Sequence, residues 1–381
     1  MKARTVQAFE KIVIAGIGLI GGSLAGAYRE AFPQTQILGV DPCADSLDTA
    51  LARGWITEAC APDDAELERY VAEGCDLVVL AVPAQFSGDY FRKLEAWGYA
   101  GLITDTCSTK GRICSIAEAT LSHPGQFLPG HPMAGSEVNG IEGARSDLFE
   151  GMHWILCPDA RTSGESYTRL HDTLTALSAR VVSLPREEHD RAVAVISHVP
   201  HFTAASLVEL AVRHADKRDV LFRLAAGGFK DSTRIAAGSP ALWCGIAFDN
   251  REAIVDGLAE LRGIIGQFQT ALEEGDRDRL TALLESASKA RRSIPKKWVP
   301  ATENMLEVRI PMENRSGVVA EVTAIASKAG CNINSIEIDH VTAHTAVLCM
   351  ILTDEGDFGR LSTDLISHGF KVSLAPLSAK E

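Results

Sequence analysis

From residue 11 to about residue 184 the chain alternates short apolar runs with amphipathic stretches. KIVIAG (11–16), QILGV (36–40), CDLVVLAV (75–82), GLITD (101–105), QFLPG (126–130), HWILC (153–157) and RVVSL (180–184) have the length and composition of buried strands. Between them, segments such as SLAGAYREAF and SLDTALARG carry helical spacing. Strands joined by helices predict right-handed crossovers and a mostly parallel sheet. After about residue 188 the pattern changes. EEHDRAVAVISHVPHFTAASLVELAVRHA, 240–274 and 276–293 repeat apolar positions with a helical period and hold few strand runs. Pro295 and Pro300 bracket KKWV, which reads as a linker. From 305 onward MLEVRIPM, GVVAEVTAIASKAG, NINSIEID, AVLCMILT, DFGRLSTDLISHG and FKVSLAPL read as βαββαβ, a ferredoxin-like plan. The expected fold class is therefore α/β in three parts: a doubly wound domain over 1–188, a helical domain over 189–300 and a small α+β module over 304–381.

Composition narrows the function classes. With 381 residues, 46% hydrophobic and 23% charged, the chain suits two or three packed domains rather than disorder. A net charge of −13 argues against nucleic acid as a partner, because phosphates call for clustered Lys and Arg. Nine cysteines are scattered without a CxxC pair, which points to reduced thiols serving as small apolar side chains in a cytoplasmic protein. A nucleophilic role for Cys107 is the weaker reading. Lys2, Arg4 and Lys11 followed by IVIAGIGLIGGSLAGA have the outline of a secretory signal, but Glu10 adjoins the run and five of its sixteen residues are glycine. No other stretch is expected to approach the ~20 apolar residues of a membrane span.

GIGLIG, comprising Gly16, Ile17, Gly18, Leu19, Ile20 and Gly21, follows a strand and opens a helix, and Asp41 lies twenty residues beyond Gly21. That context makes it a dinucleotide motif. Gly16 allows the tight turn, Gly18 lets backbone approach a pyrophosphate, and Gly21 lets helix pack on strand. The helix N-terminus presents free N–H groups to the phosphates. Asp41 suits ribose hydroxyls and would repel a 2′-phosphate, so NAD is expected rather than NADP. Val82 and Pro83, at the end of the next strand run, are counted with the cofactor site.

Four polar stretches remain. DTCSTKG holds Ser108, Thr109 and Lys110 after a strand end, and GHPMAGSE (130–137) holds His131, Ser136 and Glu137. ISHVPHF holds His198 and His201, with His189 upstream, and FKDSTRIAAGSPALW holds Asp231, Arg234 and Trp243. Each has a plain alternative. Lys110 could simply be solvated, His189 and His198 could be ordinary helix-face histidines, and Asp231 and Arg234 a surface pair. His198 and His201 are spaced for a metal, but Pro200 distorts the helix and no third ligand is evident, so none is expected. Together, NAD, a histidine base and an arginine suggest alcohol dehydrogenation of an anionic substrate.

GIGLIGGS, DTCSTKG, GHPMAGSE, HDRAVAVISHVPH and GGFKDSTRIAAGSPALW, in this order over roughly 10–290, resemble the prephenate and arogenate dehydrogenases of tyrosine biosynthesis. The tail ENRSGVVAEVTAIASKAGCNINSIEI is similar to an ACT domain. The resemblance implies a Rossmann-type domain, an all-helical dimerisation domain and a ferredoxin-like regulatory module. It implies that His131 takes the C4 hydroxyl proton of prephenate as hydride leaves for NAD and CO2 is lost. Ser108 would hydrogen-bond that hydroxyl and Arg234 would bind a substrate carboxylate, with Asp231 holding its guanidinium. His201 would contact the substrate and Ser136 would shape the pocket. Trp243 would reach across from a second subunit of a homodimer, while His189 and His198 would support. Where the family often reads SDPxMWRD this chain has GSPALWCG, placing Ser239, Cys244 and Gly245 at the departures. In the ACT segment Asn314, Gly317, Val318, Asn332 and Asn334 would meet an amino-acid effector, tyrosine before phenylalanine, between paired modules. Arogenate and 4-amino-4-deoxyprephenate stand as alternative substrates, and an NAD-binding amino-acid sensor without turnover as an alternative class.

Overall fold

The computed structural model describes residues 7–136, 138–214, 220–293, 306–313, 315–340, 345–353 and 356–376. Two compact units divide the chain, 1–283 and 284–381.

The first unit begins with strands and helices in alternation. They are β1 (Lys11–Ala15), α1 (Leu19–Ala31), β2 (Gln36–Val40), α2 (Ala44–Ala52), β3 (Glu58–Cys60), α3 (Ala65–Ala72), β4 (Leu77–Leu80), α4 (Ala84–Ala96), β5 (Leu102–Asp105), α5 (Gly111–Thr120) and β6 (Phe127–Leu128). The strands form a six-stranded parallel sheet of order β3-β2-β1-β4-β5-β6, the doubly wound order of dinucleotide-binding folds. Successive residues of each strand face opposite sides, so apolar runs rather than alternation mark them. Ile12, Ile14, Ile37, Leu77 and Leu102 pack on one face against α1 and α2. Val13, Ala15, Leu38, Val78 and Ile103 pack on the other face against α3, α4 and α5.

The run expected as one strand over 126–130 is divided. After β6 the chain passes Pro129 and enters β7 (Gly130–Pro132), which belongs to a second sheet with β8 (His153–Leu156) and β9 (Arg180–Ser183), in the order β7-β8-β9. β7 runs antiparallel to β8, and β8 parallel to β9. Gly130, His131 and Pro132 thus lie in a buried strand, contrary to what a glycine and a proline suggest in isolation. Pro132 is tolerated because it ends a three-residue strand at a sheet edge. β9 is half exposed rather than buried, and β3 has no counterpart among the apolar runs. Between β8 and β9 lies α6 (Gly164–Ala176).

Helices follow. Residues 186–214 form one rod: α7 (Arg186–Val193), a π-helical turn (Ala194–His198) and α8 (Val199–His214). Pro200 has no N–H to give, and just before it Val199 N–H reaches five residues back to Ala194 O, widening the turn that carries His198. This rod is long and apolar enough by composition to cross a membrane, which corrects the expectation that no such stretch exists. It owes that composition to one side packed inward and another carrying exposed Val195, Ile196 and Leu210. Then come α9 (Val220–Arg223), α10 (Gly227–Thr233), α11 (Pro240–Asp249), α12 (Arg251–Glu273) and α13 (Arg277–Ser293). The division between the units falls inside α13, and the helices before it cluster with the nucleotide-type domain. The expected linker between Pro295 and Pro300 lies outside the described residues.

The second unit runs β10 (Leu306–Glu313), α14 (Val318–Lys328), β11 (Ile333–His340), β12 (Thr345–Leu352), α15 (Phe358–Ser367) and β13 (Ser373–Pro376). Its four strands form an antiparallel sheet of order β11-β12-β10-β13. Val308, Ile310, Leu348, Met350 and Leu352 from the sheet pack on Val322, Ile325, Leu361 and Leu365 from the two helices.

Candidate active site

The glycine turn after β1 is built as its spacing implies. Gly16 has φ +94°, in the left-handed region, and a Cβ there would lie 2.4 Å from Ala81 O. A Cβ on Gly21 would lie 1.8 Å from Gly16 O, so only glycine lets α1 start this close to the strand. Gly18 faces open space, and as the N-cap of α1 it makes no side-chain bond, with no acidic residue in the first turn. The helix N-terminus therefore presents its positive end without internal neutralisation, as a pyrophosphate requires. Asp41 Oδ2 accepts from Ile17 N–H at 2.7 Å and Oδ1 from Cys43 N–H at 2.8 Å, fixing the carboxylate beside the turn. Gly16, Gly18, Asp41, Val82, Pro83 and Tyr90 are among the residues lining a cleft of about 650 Å³. Ile17 is buried, and Leu19 and Ile20 pack partly buried on the core. These residues fit a dinucleotide.

Beyond β5 lies a chain of polar groups, His131 and His189 buried and Asp190 partly so. His131 Nδ1 is 2.8 Å from His189 Nε2, and His189 Nδ1 is 2.8 Å from Asp190 Oδ1. Asp190 also accepts the backbone N–H groups of Lys110 and Gly111, each at 2.8 Å, where α5 begins. A carboxylate facing three donors stays ionised: burial opposes its charge, but the bonds from His189, Lys110 and Gly111 outweigh burial and hold its pKa below the usual range. The order of protons follows. Asp190 is acceptor only, so His189 Nδ1 carries hydrogen and, in the neutral ring, its Nε2 is an acceptor. His131 must then donate from Nδ1, which leaves its Nε2 unprotonated. These tautomers are assigned from the hydrogen-bond network. Burial, reinforced by the positive Lys110 and by His189 and His198, pushes the His131 pKa well below 6.5. His131 is thus a neutral imidazole with a free basic nitrogen, the form a general base needs.

Lys110 is not solvated, as a lone lysine after a strand end would suggest. It is 0% exposed, with Nζ 2.5 Å from Asp105 Oδ2 and a second bond donated to Gly130 O. Asp105, also fully buried, accepts Gly130 N–H at 2.9 Å and Cys107 N–H at 2.9 Å. Cys107 itself is buried with its thiol pKa pushed up, which removes it as a nucleophile.

His189, His198 and His201 are all buried rather than lying on an open helix face. His198 Nδ1 lies 3.3 Å from Asn250 Nδ2, which donates to Asp190 O at 2.7 Å, and burial lowers the His198 pKa to about 4. Trp243 stacks on His201 of its own chain at 3.5 Å between ring centroids, 11° from parallel. Gly238 makes room, since a Cβ there would lie 2.7 Å from the Trp243 Nε1. His201 Nδ1 is buried with no hydrogen-bond partner among the described residues. Among those residues no three His, Cys, Asp or Glu side chains gather as a metal site.

Other expected residues are more open. Ser108 is half-buried on the loop between β5 and α5, and Ser136 is exposed, its Oγ accepting from Val138 N–H at 3.1 Å. Asp231 on α10 and Arg234 just after it are exposed. In the second unit Gly317 has φ +85° and opens α14, with Val318 buried behind it, while Asn332 and Asn334 are exposed. Glu137 and Asn314 lie outside the described residues. Sequence reasoning passed over Asp105, Asp190 and Asn250. Only the adjacency of Asp190 to His189 could have singled one of them out.

A doubly wound sheet with a glycine turn at one strand end and a neutral buried histidine beyond another is the arrangement of a dinucleotide-dependent dehydrogenase. The family model for the prephenate dehydrogenase nucleotide-binding domain matches residues 24–183, and that for the prephenate dehydrogenase dimerization domain matches residues 185–286. This chain belongs to the prephenate dehydrogenase family. It is 33% identical over 339 residues to the prephenate dehydrogenase of Bacillus subtilis (strain 168), spanning 87% of this chain and 89% of that one. Among solved structures it is similar to the A. aeolicus prephenate dehydrogenase in complex with hydroxyphenyl propionate and NAD+, with TM-score 0.70 and 27% identity over 76% of this chain and 99% of the other. The Synechocystis arogenate dehydrogenase gives TM-score 0.63 and 29% identity over 75% of this chain and all of that one (100%).

Proposed function

We propose that this chain is an NAD-dependent prephenate dehydrogenase in which His131 is the base. The hydrogen-bonded series Asp190–His189–His131 carries this reading, because it leaves His131 Nε2 free to take the C4 hydroxyl proton of a cyclohexadiene acid. Gly16, Gly18, Gly21 and the N-terminus of α1 hold the pyrophosphate, Asp41 the ribose, and Val82 and Pro83 line the cleft. When bound, NAD supplies the acceptor for the hydride that leaves C4. The ring carboxylate departs as CO2, its bonding electrons completing the aromatic ring, and His131 returns its proton to the phenolic oxygen. Ser108 hydrogen-bonds the C4 oxygen, Arg234 forks onto a substrate carboxylate with Asp231 orienting it, and Ser136 shapes the rim. His201, held flat against Trp243, directs a ring edge to the substrate.

The helical part forms a homodimer. Exposed Val195, Ile196, Leu210, Phe248, Val255 and Leu272 lie within the residues matched by the dimerization-domain model, and such a density of apolar side chains favours burial against a second copy. The second unit is an ACT-type module: its strand order is that of a ferredoxin-like fold. The left-handed Gly317 opens α14 beside a groove of about 680 Å³ lined in part by Arg315, Val318, His368 and Phe370, suited to an amino-acid effector such as tyrosine. Nine free cysteines suit a reducing, cytoplasmic compartment. The likeness to an arogenate dehydrogenase supports a second reading, in which the side-chain amine of arogenate is accepted.

NADH formation at saturating NAD, with prephenate and arogenate in parallel and with and without tyrosine, tests these readings. Turnover of prephenate is expected, slowed by tyrosine. Turnover of arogenate alone moves the substrate, and turnover of neither overturns the proposal.

A further inference from the structure

The buried Lys110–Asp105 pair is the strongest feature that the chemistry above leaves unused. Neither charge reaches solvent, and two charges buried together rarely stabilise a core more than apolar side chains of the same shape would. Their position suggests what they do. The chain crosses from the parallel sheet to the second sheet between Leu128 and Gly130, so the peptide at Gly130 sets the direction in which His131 leaves the backbone. Asp105 Oδ1 takes the Gly130 N–H and Lys110 Nζ gives to the Gly130 C=O, so the pair grips that residue on both sides. A Cβ at Gly130 would lie 2.7 Å from Asp105 O, which closes the grip to any larger residue. The backbone N–H of Lys110, with that of Gly111, holds the Asp190 carboxylate at the far end of the proton relay. Asp190 holds His189, and His189 holds His131. The bonds thus form a closed ring that leaves Lys110 by its backbone and returns to it by its side chain.

We propose that Lys110, paired with Asp105, is a positioning residue for the base: it fixes both the strand that carries His131 and the carboxylate that orients the relay. Its charge also acts on His131. The groups facing that imidazole are Lys110 from the β5–α5 loop, His189 from α7 and His198 from the π turn, with Asp190 one ring further and Asp105 behind Lys110. The ammonium opposes an imidazolium at His131, so removing it makes His131 easier to protonate.

This inference rests on His131 being the base, and its test separates the two. Lys110→Met leaves Asp105 buried and unpaired and tests stability. The Asp105→Asn, Lys110→Met double variant buries no lone charge, and the kinetics rest on it. In that full-length variant kcat with prephenate is expected to fall about 100-fold, the scale of a displaced catalytic group, with the KM for NAD within about twofold of wild type. By histidine 13Cε1 NMR, with the resonance identified from His131→Asn, the protonation midpoint of His131 is expected to rise in Lys110→Met and, by less, in the double variant, where loss of the Asp105 carboxylate offsets part of the loss of the ammonium. A wild-type enzyme inactive on prephenate would defeat the functional reading, and the NMR midpoint would still decide this one. Near-wild-type kcat with an unmoved midpoint, or a double variant that does not fold, would overturn the proposal and leave the pair a structural element.

Discussion

The two ends of the site differ in how completely one chain builds them. At the end proposed to accept the proton, His131, His189, His198, Lys110 and Asp105 are buried, and each has at least one hydrogen-bond partner in a defined geometry. At the end proposed to bind the substrate's carboxylate, Arg234, Asp231 and Ser136 are exposed, on or beside short helical turns and loops. Burial explains the first end: a group removed from water is fixed only if its partners are fixed too, so geometry and protonation state are set together. The second end, open to water, can adjust its side chains. Proton transfer needs a preset partner, whereas charge recognition tolerates a movable one.

Substitutions at the two ends should break that contrast if it is wrong. His131→Asn keeps an amide near the Nδ1 position and removes the basic ring nitrogen. We expect kcat to fall about 1000-fold, with NAD affinity by fluorescence titration unchanged, because the glycine turn is untouched. Asp190→Asn brings an amide donor against one of the N–H groups that the two carboxylate oxygens accept, from Lys110 at Oδ1 or Gly111 at Oδ2, and loosens the tautomer of His189. A loss in kcat of about 100-fold is expected, appearing in kcat rather than in KM. Arg234→Lys keeps the charge and loses the fork, so the effect should be smaller and of another kind. The KM for prephenate should rise about tenfold with little change in kcat. Loss of kcat at Arg234 equal to that at Asp190 would erase the distinction between the ends.

What could be read from the sequence divides along similar lines. The glycine turn was legible because each glycine has a local reason: Gly16 a left-handed φ, Gly21 the carbonyl of Gly16 five residues away. The parallel strands were legible because burial on both faces makes their apolar runs continuous. GHP did not look like a strand, because its pairing with β8 lies more than twenty residues away and only the fold supplies it. Lys110 looked solvated because nothing local says that Asp105 and Gly130 will enclose it. His189 was legible as a motif residue, but its role depends on His131, which is 58 residues distant in sequence. The rod from 186 to 214 has membrane-like composition because it packs one face and exposes an apolar other, a distinction that composition cannot draw.

If His131 is the base, it is already neutral in the resting enzyme. The pH dependence of kcat/KM for prephenate in the wild-type enzyme tests it most directly. Burial, and then the Lys110 ammonium, lower the His131 pKa well below 6.5, so the imidazole stays unprotonated as the pH falls through that value. The rate is expected to hold level through pH 6.5 and to fall, by a single proton, only at clearly lower pH. A fall centred at or above 6.5, lost in His131→Asn, would show an exposed, ordinary histidine and contradict the buried relay.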